Sequence, residues 1–434
     1  MQRASNTAKF TKMFSAMSDC GKLSTLSRLS DILDCRLCYF VSVFLATRKF
    51  IDFFSQLPED VSKKILEYLG PQCLLNAGMV SKAWKNLVED KDLWKSQIKN
   101  ASFPMPVYDE NMIAKDFFMK HARRFQRWKL FNPLTRTISK WPATLVVKLN
   151  DRIISGSKGC VRIWESSKIN IEPEGVVSIG KADTNAFIPL NNQLLIFCSN
   201  GYLKVLDFTD CASRSMEEPK FEQKLSKHPL TCASRWVDRA NENNGEVIVV
   251  GDGDGNIIIY NYEDKAIKMK KKIHKDEVLK VSVHFAFDMQ DAIIVSGGKD
   301  FSIKVTKLST LTLMHSFSIA SALTSFHVLS SGEIIIVMKN SVARSNLLQM
   351  KSEPVWETKV STYFTSSEII FQDGQRCMVL IGTIEGKIYI VDAESGSIQS
   401  KTRAHRGEVK SMLQIEDTSL LSADAGGIVF STFA

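Results

Sequence analysis

The sequence lacks a cysteine framework of the kind that stabilises small secreted proteins. It has nine cysteines in 434 residues, an odd number at irregular spacing. Cys35 and Cys38 form one C-x-x-C pair, but a zinc site needs a second pair of ligands and none lies nearby. We therefore expect reduced thiols, no structural metal, and a location in the cytoplasm or nucleus.

The sequence also lacks an apolar run long enough to cross a bilayer. The best candidate, residues 37–46 (LCYFVSVFLA), is far shorter than the roughly 20 residues that a spanning helix needs. It lies in residues 1–50, where eight Lys and Arg outnumber three Asp and Glu and where Ser and Thr are frequent. We expect this segment to be a disordered extension and expect no membrane association. An organellar transit peptide is the lesser alternative.

Catalytic motifs are absent as well. The chain has no P-loop, no G-x-G-x-x-G that opens a helix after a strand, no HExxH and no G-x-S-x-G. Residues 251–256 (GDGDGN) faintly resemble a calcium loop, but they stand where a turn between two strands is expected. We therefore expect a protein that is not an enzyme and that holds no cofactor or metal.

Charge points weakly to acidic partners. Lys and Arg number 56 against 47 Asp and Glu, which gives a net charge of +9. The densest basic run, residues 265–275 (KAIKMKKKIHK), has no interleaved aromatic residue. We expect it to protect an exposed outer strand and expect no binding to nucleic acid.

What the sequence does contain is a series of short helical signals over residues 54–99. Pro58 suits the first position of a helix, because its missing N–H would lack a partner there. Gly70 and Pro71 predict the end of that helix through a left-handed cap. Ser81 is expected to cap a third helix. The apolar residues of the first helix recur at helical spacing: Val61, Ile65, Leu66 and Leu69.

A helical unit of this size buries too little surface to be comfortably stable alone, so we expect a partner to complete its apolar surface. The stretch resembles the F-box family in its Leu57-Pro58 start, the apolar face given above, the step from Val80 to Trp84, and Leu93-Trp94. A plain helical hairpin packed on its own chain is the alternative. The resemblance implies docking on the Skp1 adaptor of an SCF ubiquitin ligase through Leu57, Pro58, Val61, Ile65, Leu66, Leu69, Leu74, Val80, Trp84, Leu93 and Trp94.

Residues 100–128 are expected to link this unit to the rest of the chain. The segment 109–129 predicts one amphipathic helix with its basic residues mostly in solvent. Its expected apolar face consists of Ile113, Phe117, Phe118, His121, Phe125 and Trp128.

From about residue 130 the chain repeats a phrase of an apolar strand, a small-residue turn and a second strand. Seven copies occur, and their turns are separated by 39 to 54 residues. We expect φ > 0 at the glycine turns and at Asn340, whereas Phe301 breaks this rule and an earlier bend at residues 297–300 would replace it. The seven turn positions are Gly159, Gly201, Gly255, Phe301, Asn340, Gly386 and Gly426.

This period resembles that of WD40 propeller blades. His228, His274 and His405 resemble the histidine that precedes the innermost strand of such blades, and Asp300 and Asp424 are the expected partners of the last two. The last copy stops after a third strand, so residues 129–139 are expected to supply the fourth strand and close the ring. The Trp-Asp signature itself is degenerate, because only Trp164 keeps the tryptophan.

We therefore predict a multidomain chain: an extension at 1–50, an all-α F-box at 51–99, a linker helix at 100–128, and an all-β seven-bladed WD40-like propeller at 129–434. The resemblance implies a substrate-recognition subunit of an SCF-type E3 ligase, bound through Skp1 to cullin and RING subunits. Arg235, Lys280 and Lys410, on expected innermost strands, are candidate contacts for an unknown protein target. The alternatives are a WD40 scaffold with a partner outside the ubiquitin system and an enzyme with its site at the channel mouth.

Overall fold

The structure is a computed structural model of the chain. It describes residues 54–101, 108, 110, 112–130, 134–165, 173–208, 219–237, 246–285, 292–329, 331–347, 354–370, 377–416 and 419–432, with scattered residues between 12 and 52. The extension predicted at 1–50 lies mostly outside these residues. The chain divides into two compact units, Met1–Leu93 and Trp94–Ala434. The domain limits predicted at 99 and 128 stay predictions.

The first unit is helical. After a 3-10 turn at Phe54–Gln56 come α1 (Glu59–Glu67), α2 (Pro71–Ala77) and α3 (Lys82–Val88), and α4 (Lys91–Lys99) begins within it. Ser81 caps α3 as predicted, because its side chain accepts a hydrogen bond from the Trp84 amide at 3.2 Å.

Two predicted helix ends were wrong. Pro58 stands one residue before α1, with φ −55° and ψ 143°, and its carbonyl accepts the Val61 amide at 3.0 Å. Gly70 has φ −69°, so it is no left-handed cap; it precedes α2 and places Pro71 in the first turn of that helix. Because proline tolerates a helix start far better than a helix end, the Gly-Pro pair belongs to α2.

The second unit opens with the remainder of α4 and with α5 (Ala114–Leu130). Phe117 and Phe118 are buried, and His121 is nearly so. The Phe118 ring lies 5.6 Å from that of Trp94. Ile113, predicted on the same face, instead precedes α5 and is 68% exposed. The side chains of Phe125 and Trp128 lie outside the described part of α5.

Seven four-stranded antiparallel sheets make up the rest of the second unit, and each is numbered here as a blade. Blade one contains β2 (Leu145–Leu149), β3 (Arg152–Ser157), β4 (Cys160–Glu165) and β5 (Gly175–Ser178). Blade two contains β6 (Thr184–Leu190), β7 (Gln193–Cys198), β8 (Tyr202–Asp207) and β9 (Phe221–Lys224). Blade three contains β10 (Leu230–Trp236), β11 (Val247–Asp252), β12 (Asn256–Asn261) and β13 (Ala266–Lys272).

The remaining blades follow the same order. Blade four contains β14 (Val278–Phe285), β15 (Ala292–Gly298), β16 (Ser302–Lys307) and β17 (Leu313–Ser318). Blade five contains β18 (Leu323–Val328), β19 (Glu333–Met338), β20 (Ser341–Asn346) and β21 (Trp356–Lys359). Blade six contains β22 (Phe364–Ile370), β23 (Met378–Thr383), β24 (Lys387–Asp392) and β25 (Ile398–Arg403). Blade seven contains β26 (Ser411–Glu416), β27 (Ser419–Asp424), β28 (Gly427–Thr432) and β1 (Leu134–Ser139).

The first strands of successive blades lie next to one another in a closed circle, from β2 through β26 and back to β2. They therefore line the channel of a seven-bladed propeller, as predicted. Second strands such as β15 and β23 are buried along their whole length. The outer strands alternate exposed and half-buried residues, which is the pattern of a sheet with one face in solvent.

The ring closes as predicted. β1 pairs antiparallel with β28, from Leu134 opposite Thr432 to Ser139 opposite Ile428. The earliest strand of the chain thus completes the last blade, and β28 presents no open edge to solvent.

The turns between second and third strands differ from the prediction in three blades. Phe301 has φ +58°, the left-handed conformation of the glycines at the equivalent turns, and residues 297 and 298 belong to β15 rather than to an earlier bend. Asn340 does not adopt positive φ, and in blade seven Gly427 does so instead of Gly426. In blade seven the residue with positive φ is thus the first residue of β28 instead of the last residue of the turn.

Candidate functional site

Helix α1 divides its apolar residues between the interior and solvent. Leu66 is 1% exposed, and Ser62 is buried beside it. Val61, Ile65 and Tyr68, at positions i, i+4 and i+7, are 43%, 40% and 90% exposed. Because this spacing aligns side chains along one face, α1 presents an apolar stripe to solvent.

Three further large apolar side chains between residues 54 and 93 are exposed. They are Leu57, Met79 and Val80, of which Met79 is 77% exposed. A protein that functions alone rarely leaves this much apolar surface in water, so the six exposed residues indicate an interaction surface.

Trp84 stabilises the first unit through internal contacts and is not one of the exposed residues. Its indole N–H donates to Asp52 Oδ1 at 2.8 Å, and its ring stands edge-on to Phe54 at 4.3 Å between centroids. The aromatic pair therefore fixes the chain segment that leads into α1.

Asp90 ties α1 to the start of α4. Its carboxylate accepts the amides of Asp92 and Leu93 at 2.9 Å and 3.3 Å and lies 2.7 Å from Lys63 Nζ. Burial disfavours its charge, but the hydrogen bonds from Lys63 and from the two amides outweigh this and lower the pKa of Asp90. The carboxylate is thus a helix cap.

The structure sorts the eleven predicted Skp1-contacting residues into three groups by exposure. Four are buried within this chain: Leu66, Leu74, Leu93 and Trp94. Leu69 and Trp84 are half-buried, and five are exposed: Leu57, Pro58, Val61, Ile65 and Val80. Tyr68 and Met79 were missed, although Tyr68 stands seven residues after Val61 and continues its stripe.

On the propeller, the predicted histidine pairs are present. His274 Nδ1 lies 3.0 Å from Asp300 Oδ1, and its Nε2 lies 2.9 Å from Ser296 Oγ. Burial lowers the pKa of His274, so this ring is neutral at pH 7. Burial opposes the charge of Asp300, but hydrogen bonds from Ser302 and other neighbours outweigh it and hold its pKa below the usual range.

His405 repeats this arrangement in blade seven, 3.4 Å from Asp424 Oδ1 and 2.7 Å from Ser422 Oγ. In blade three His228 has no such partner; there Ser226 Oγ donates to Asp252 at 2.7 Å. Because both rings of this repeated arrangement are buried and hydrogen-bonded on each nitrogen, they tie the connection before a blade to that blade and are poor candidates for proton transfer.

The three residues predicted to contact a target are not brought together. Arg235 lies at the far end of β10 and pairs with Glu246, which directly precedes β11. Lys410 precedes β26 instead of lying on it, and its side chain is exposed. Lys280 lies on β14 as predicted, and its ammonium donates to Ser325 Oγ on β18 at 2.8 Å.

Lys280 belongs to a cluster of titratable groups on three adjacent inner strands that sequence reasoning missed. Burial lowers the pKa of Lys280 to about 8. Burial raises the pKa of Glu368, on β22, to about 7, with partial compensation by the charge of Lys280. His327 on β18 lies 2.8 Å from Ser367 Oγ, and burial holds its pKa far below the usual value. Near neutral pH the channel therefore contains an ammonium group, of Lys280, and a carboxylate, of Glu368, whose charged forms are disfavoured by burial.

Two grooves open where outer strands lead to the next inner strand. The larger, of about 900 Å³, adjoins the closing strand, and its charged lining residues are Lys140, Arg403, Arg406 and Asp424. The other, of about 550 Å³, adjoins blade three, and its charged lining residues are Lys224, Lys227, Lys270 and Asp254. Both grooves carry more positive than negative charge and suit acidic segments.

Signs of bond-making chemistry are weak across the described ranges. Burial raises the pKa of the Cys232 and Cys377 thiols to about 12, which leaves both unreactive. No group of three or more His, Cys, Asp or Glu that could hold a metal ion occurs among the described residues. Asp252, in the calcium-loop-like segment, bonds Asn256 and Ser226 within a hairpin turn. Among the described helices, none is long and apolar enough to cross a membrane.

Residues 54–96 match the F-box domain family. This match covers α1, α2, α3 and most of α4, including every exposed apolar residue of the first unit named above. An F-box followed by a seven-bladed β-propeller is the architecture of F-box/WD40-type proteins.

Proposed function

We propose that this protein is the substrate-recognition subunit of an SCF-type E3 ubiquitin ligase. The F-box binds a Skp1-like adaptor, which connects it to cullin and RING subunits, and the propeller binds the protein to be ubiquitinated. The cytoplasm and nucleus are the compartments where such an assembly works. The F-box match and the propeller support this proposal at the level of the family.

The observation that carries the proposal is the exposed stripe of α1. Its residues Val61, Ile65 and Tyr68 stand in solvent at helical spacing within the segment that matches the F-box. The neighbouring face of the same helix is already buried on its own unit through Leu66. A partner helix or groove is therefore needed to cover the stripe.

The contribution of this chain to catalysis is positional. A receptor that holds a target near a ubiquitin-charged enzyme raises the effective concentration of the target lysine. No side chain of the receptor has to make or break a bond. The buried thiols and the doubly bonded histidines are consistent with such a role.

Capture on immobilised Skp1 tests the proposal. Val61→Asp with Ile65→Asp places two charges in the stripe, and we expect binding to weaken by more than about 100-fold, because the centre of an apolar interface tolerates no unpaired charge. Leu57→Ala with Pro58→Ala should also weaken binding. Lys64→Asp is the matched control, because it adds an aspartate to the same helix at an exposed position.

Circular dichroism of each variant separates loss of the surface from loss of the fold. If the wild-type chain does not bind Skp1, the proposal fails. A scaffold that uses these helices for a partner outside the ubiquitin system would then be the better interpretation.

A further inference from the structure

One side of the propeller exposes large apolar residues in the turn of blade four, in the connection from blade five to blade six, and in the turn of blade six. Phe301, in the turn between β15 and β16, is 51% exposed. Tyr363, just before β22, is 48% exposed, and Ile384, between β23 and β24, is 49% exposed. All three lie at the end of the blades where outer strands lead to the next inner strand. We refer to Phe301, Lys339, Tyr363 and Ile384 as the aromatic rim.

Backbone hydrogen bonds show that the rim is continuous from blade five to blade six. The Phe364 amide donates to the Lys339 carbonyl at 2.7 Å, and the Ile384 amide donates to the Tyr363 carbonyl at 3.0 Å. The turn of blade five, the connection that follows it and the turn of blade six are therefore in direct contact.

A four-residue connection, Ile319 to Ala322, joins blade four to the same surface. The Ile319 amide donates to the Phe301 carbonyl at 2.9 Å, and the Lys339 amide donates to the Ala322 carbonyl at 2.8 Å. Phe301 and Lys339 thus flank one short loop, and the four rim residues form a single arc.

Phe301 occupies a position where its residue type is unfavourable for folding. Its φ of +58° is disfavoured for any residue with a Cβ and suits glycine. Four other blades place glycine with positive φ at this position: Gly159, Gly201, Gly255 and Gly386. The half-exposed ring recovers little through burial, so folding does not explain the phenylalanine.

Lys339 supplies the charge of the rim. Its ammonium stands 4.2 Å from the centre of the Tyr363 ring, and no carboxylate pairs with it among the residues that the structure describes. Glu385, next to Ile384, is already paired with Lys387 at 2.6 Å. The cation of the rim is therefore free to meet a carboxylate, while its nearest acid is neutralised.

We propose that the aromatic rim docks an acidic peptide segment of the target, with an apolar side chain held between Phe301 and Tyr363 and a carboxylate beside Lys339. Exposed aromatic residues with a neighbouring cation are typical of the residues that dominate the energy of interfaces. The inference rests on the proposed function, because it states which part of the propeller receives the target and what chemistry the target presents.

Selection from a phage-displayed library of random dodecapeptides, against the full chain bound to Skp1, tests this. We expect enrichment of sequences with an aromatic or aliphatic residue flanked by Asp or Glu. A synthetic peptide of the enriched sequence should bind at least about tenfold more weakly to Tyr363→Ala and to Lys339→Glu. Absence of enrichment, or equal binding to wild type and both variants, overturns the proposal.

Phe301→Gly gives the sharpest result, because binding and stability should move in opposite directions. The substitution removes an unfavourable conformation, so we expect the melting temperature to rise by about 2–4 °C. Peptide binding should fall at the same time. Full binding by the glycine variant counts against the rim.

Trp141→Ala provides a matched control on the same side of the propeller. Trp141 is 52% exposed and has a cation, Arg162, 5.1 Å from its ring, but it lies outside blades four to six. The peptide should bind this variant as it binds wild type. Skp1 capture by the same preparations separates the two proposals: a wild-type chain that captures Skp1 but enriches no peptide overturns the rim alone, whereas a wild-type chain that does not capture Skp1 overturns the proposed function.

Discussion

The two units treat their apolar residues in opposite ways. The helices between residues 54 and 93 leave six large apolar side chains in solvent, three of them along one face of α1 and its C-terminal cap. The propeller buries nearly every residue of its second strands and covers the edge of β28 with β1. One unit is thus incomplete until a partner binds, whereas the other is closed.

This difference explains where each unit still exposes apolar surface that could bind a partner. In the helical unit it is a whole face, because the few short helices cannot enclose a core of their own. In the propeller, by contrast, exposed apolar residues are dispersed over turns, such as that of Phe301, and outer strands, such as those of Ile267 and Leu313. Substitutions or deletions in the helical unit and in the propeller should therefore have different consequences.

The largest effect is expected from loss of ring closure. Deletion of residues 128–140 removes β1, which exposes the backbone of β28 and leaves blade seven with three strands. We expect insoluble protein, because an unpaired edge strand recruits other chains. The soluble fraction after expression and the thermal melt measure this.

A truncation that removes residues 1–50 is the control, since it leaves β1 in place and should stay soluble. A soluble 128–140 deletion with one cooperative melt would contradict the role of β1 in closing the ring.

Much of the propeller could be predicted because the same sequence pattern recurs in all seven blades. The closing strand followed from a last copy that ends after its third strand. The conformation of Phe301 could not be predicted, since its residue type argues against positive φ and the pairing of β15 with β16 decides it. The prediction for Asn340 failed in the opposite way. Asparagine suits positive φ, but Asn340 does not adopt it.

The sites were less predictable than the fold. Helical spacing placed Val61, Ile65 and Leu66 on one broad face, but only packing of α1 against α3 separates the buried Leu66 from the exposed pair. Lys280 and Glu368 come from strands two blades apart. No local pattern joins residues at that separation, so the channel cluster emerges only from the ring.

An intermediate effect is expected from the channel charges, which are the least satisfied groups of the closed unit. The raised pKa of Glu368 makes stability fall as pH rises from the ordinary carboxyl value to about 7. The lowered pKa of Lys280 makes stability rise again from about pH 8 to the ordinary lysine value. The two groups together therefore predict a minimum between pH 7 and 8.

Lys280→Met with Glu368→Gln should remove that minimum. We expect the double variant to gain roughly 1–4 kcal/mol over wild type near pH 7.5, because it removes two charges that burial disfavours. Melting temperatures of both proteins at pH 5.5, 7.5 and 9.5 measure the difference, which cancels the titration of groups distant from the channel. As a control, Lys410→Met, at an exposed position, should leave the pH dependence of the melting temperature unchanged. If the double variant and wild type show the same pH dependence, the channel charges are well solvated and the prediction is wrong.

The smallest effect is expected in the incomplete unit, from loss of one helix cap. Ser81→Ala removes the acceptor of the Trp84 amide, which lies 3.2 Å from Ser81 Oγ. We expect a loss of about 1 kcal/mol, confined to α3, because the propeller forms a separate compact unit. Amide exchange measured by mass spectrometry should quicken over residues 82–88 and stay unchanged in the inner strands of the blades. Ser81→Asp keeps an acceptor and should exchange as wild type does. Faster exchange in the propeller strands of the alanine variant would mean that the two units unfold together, and the contrast between a closed and an incomplete unit would then fail.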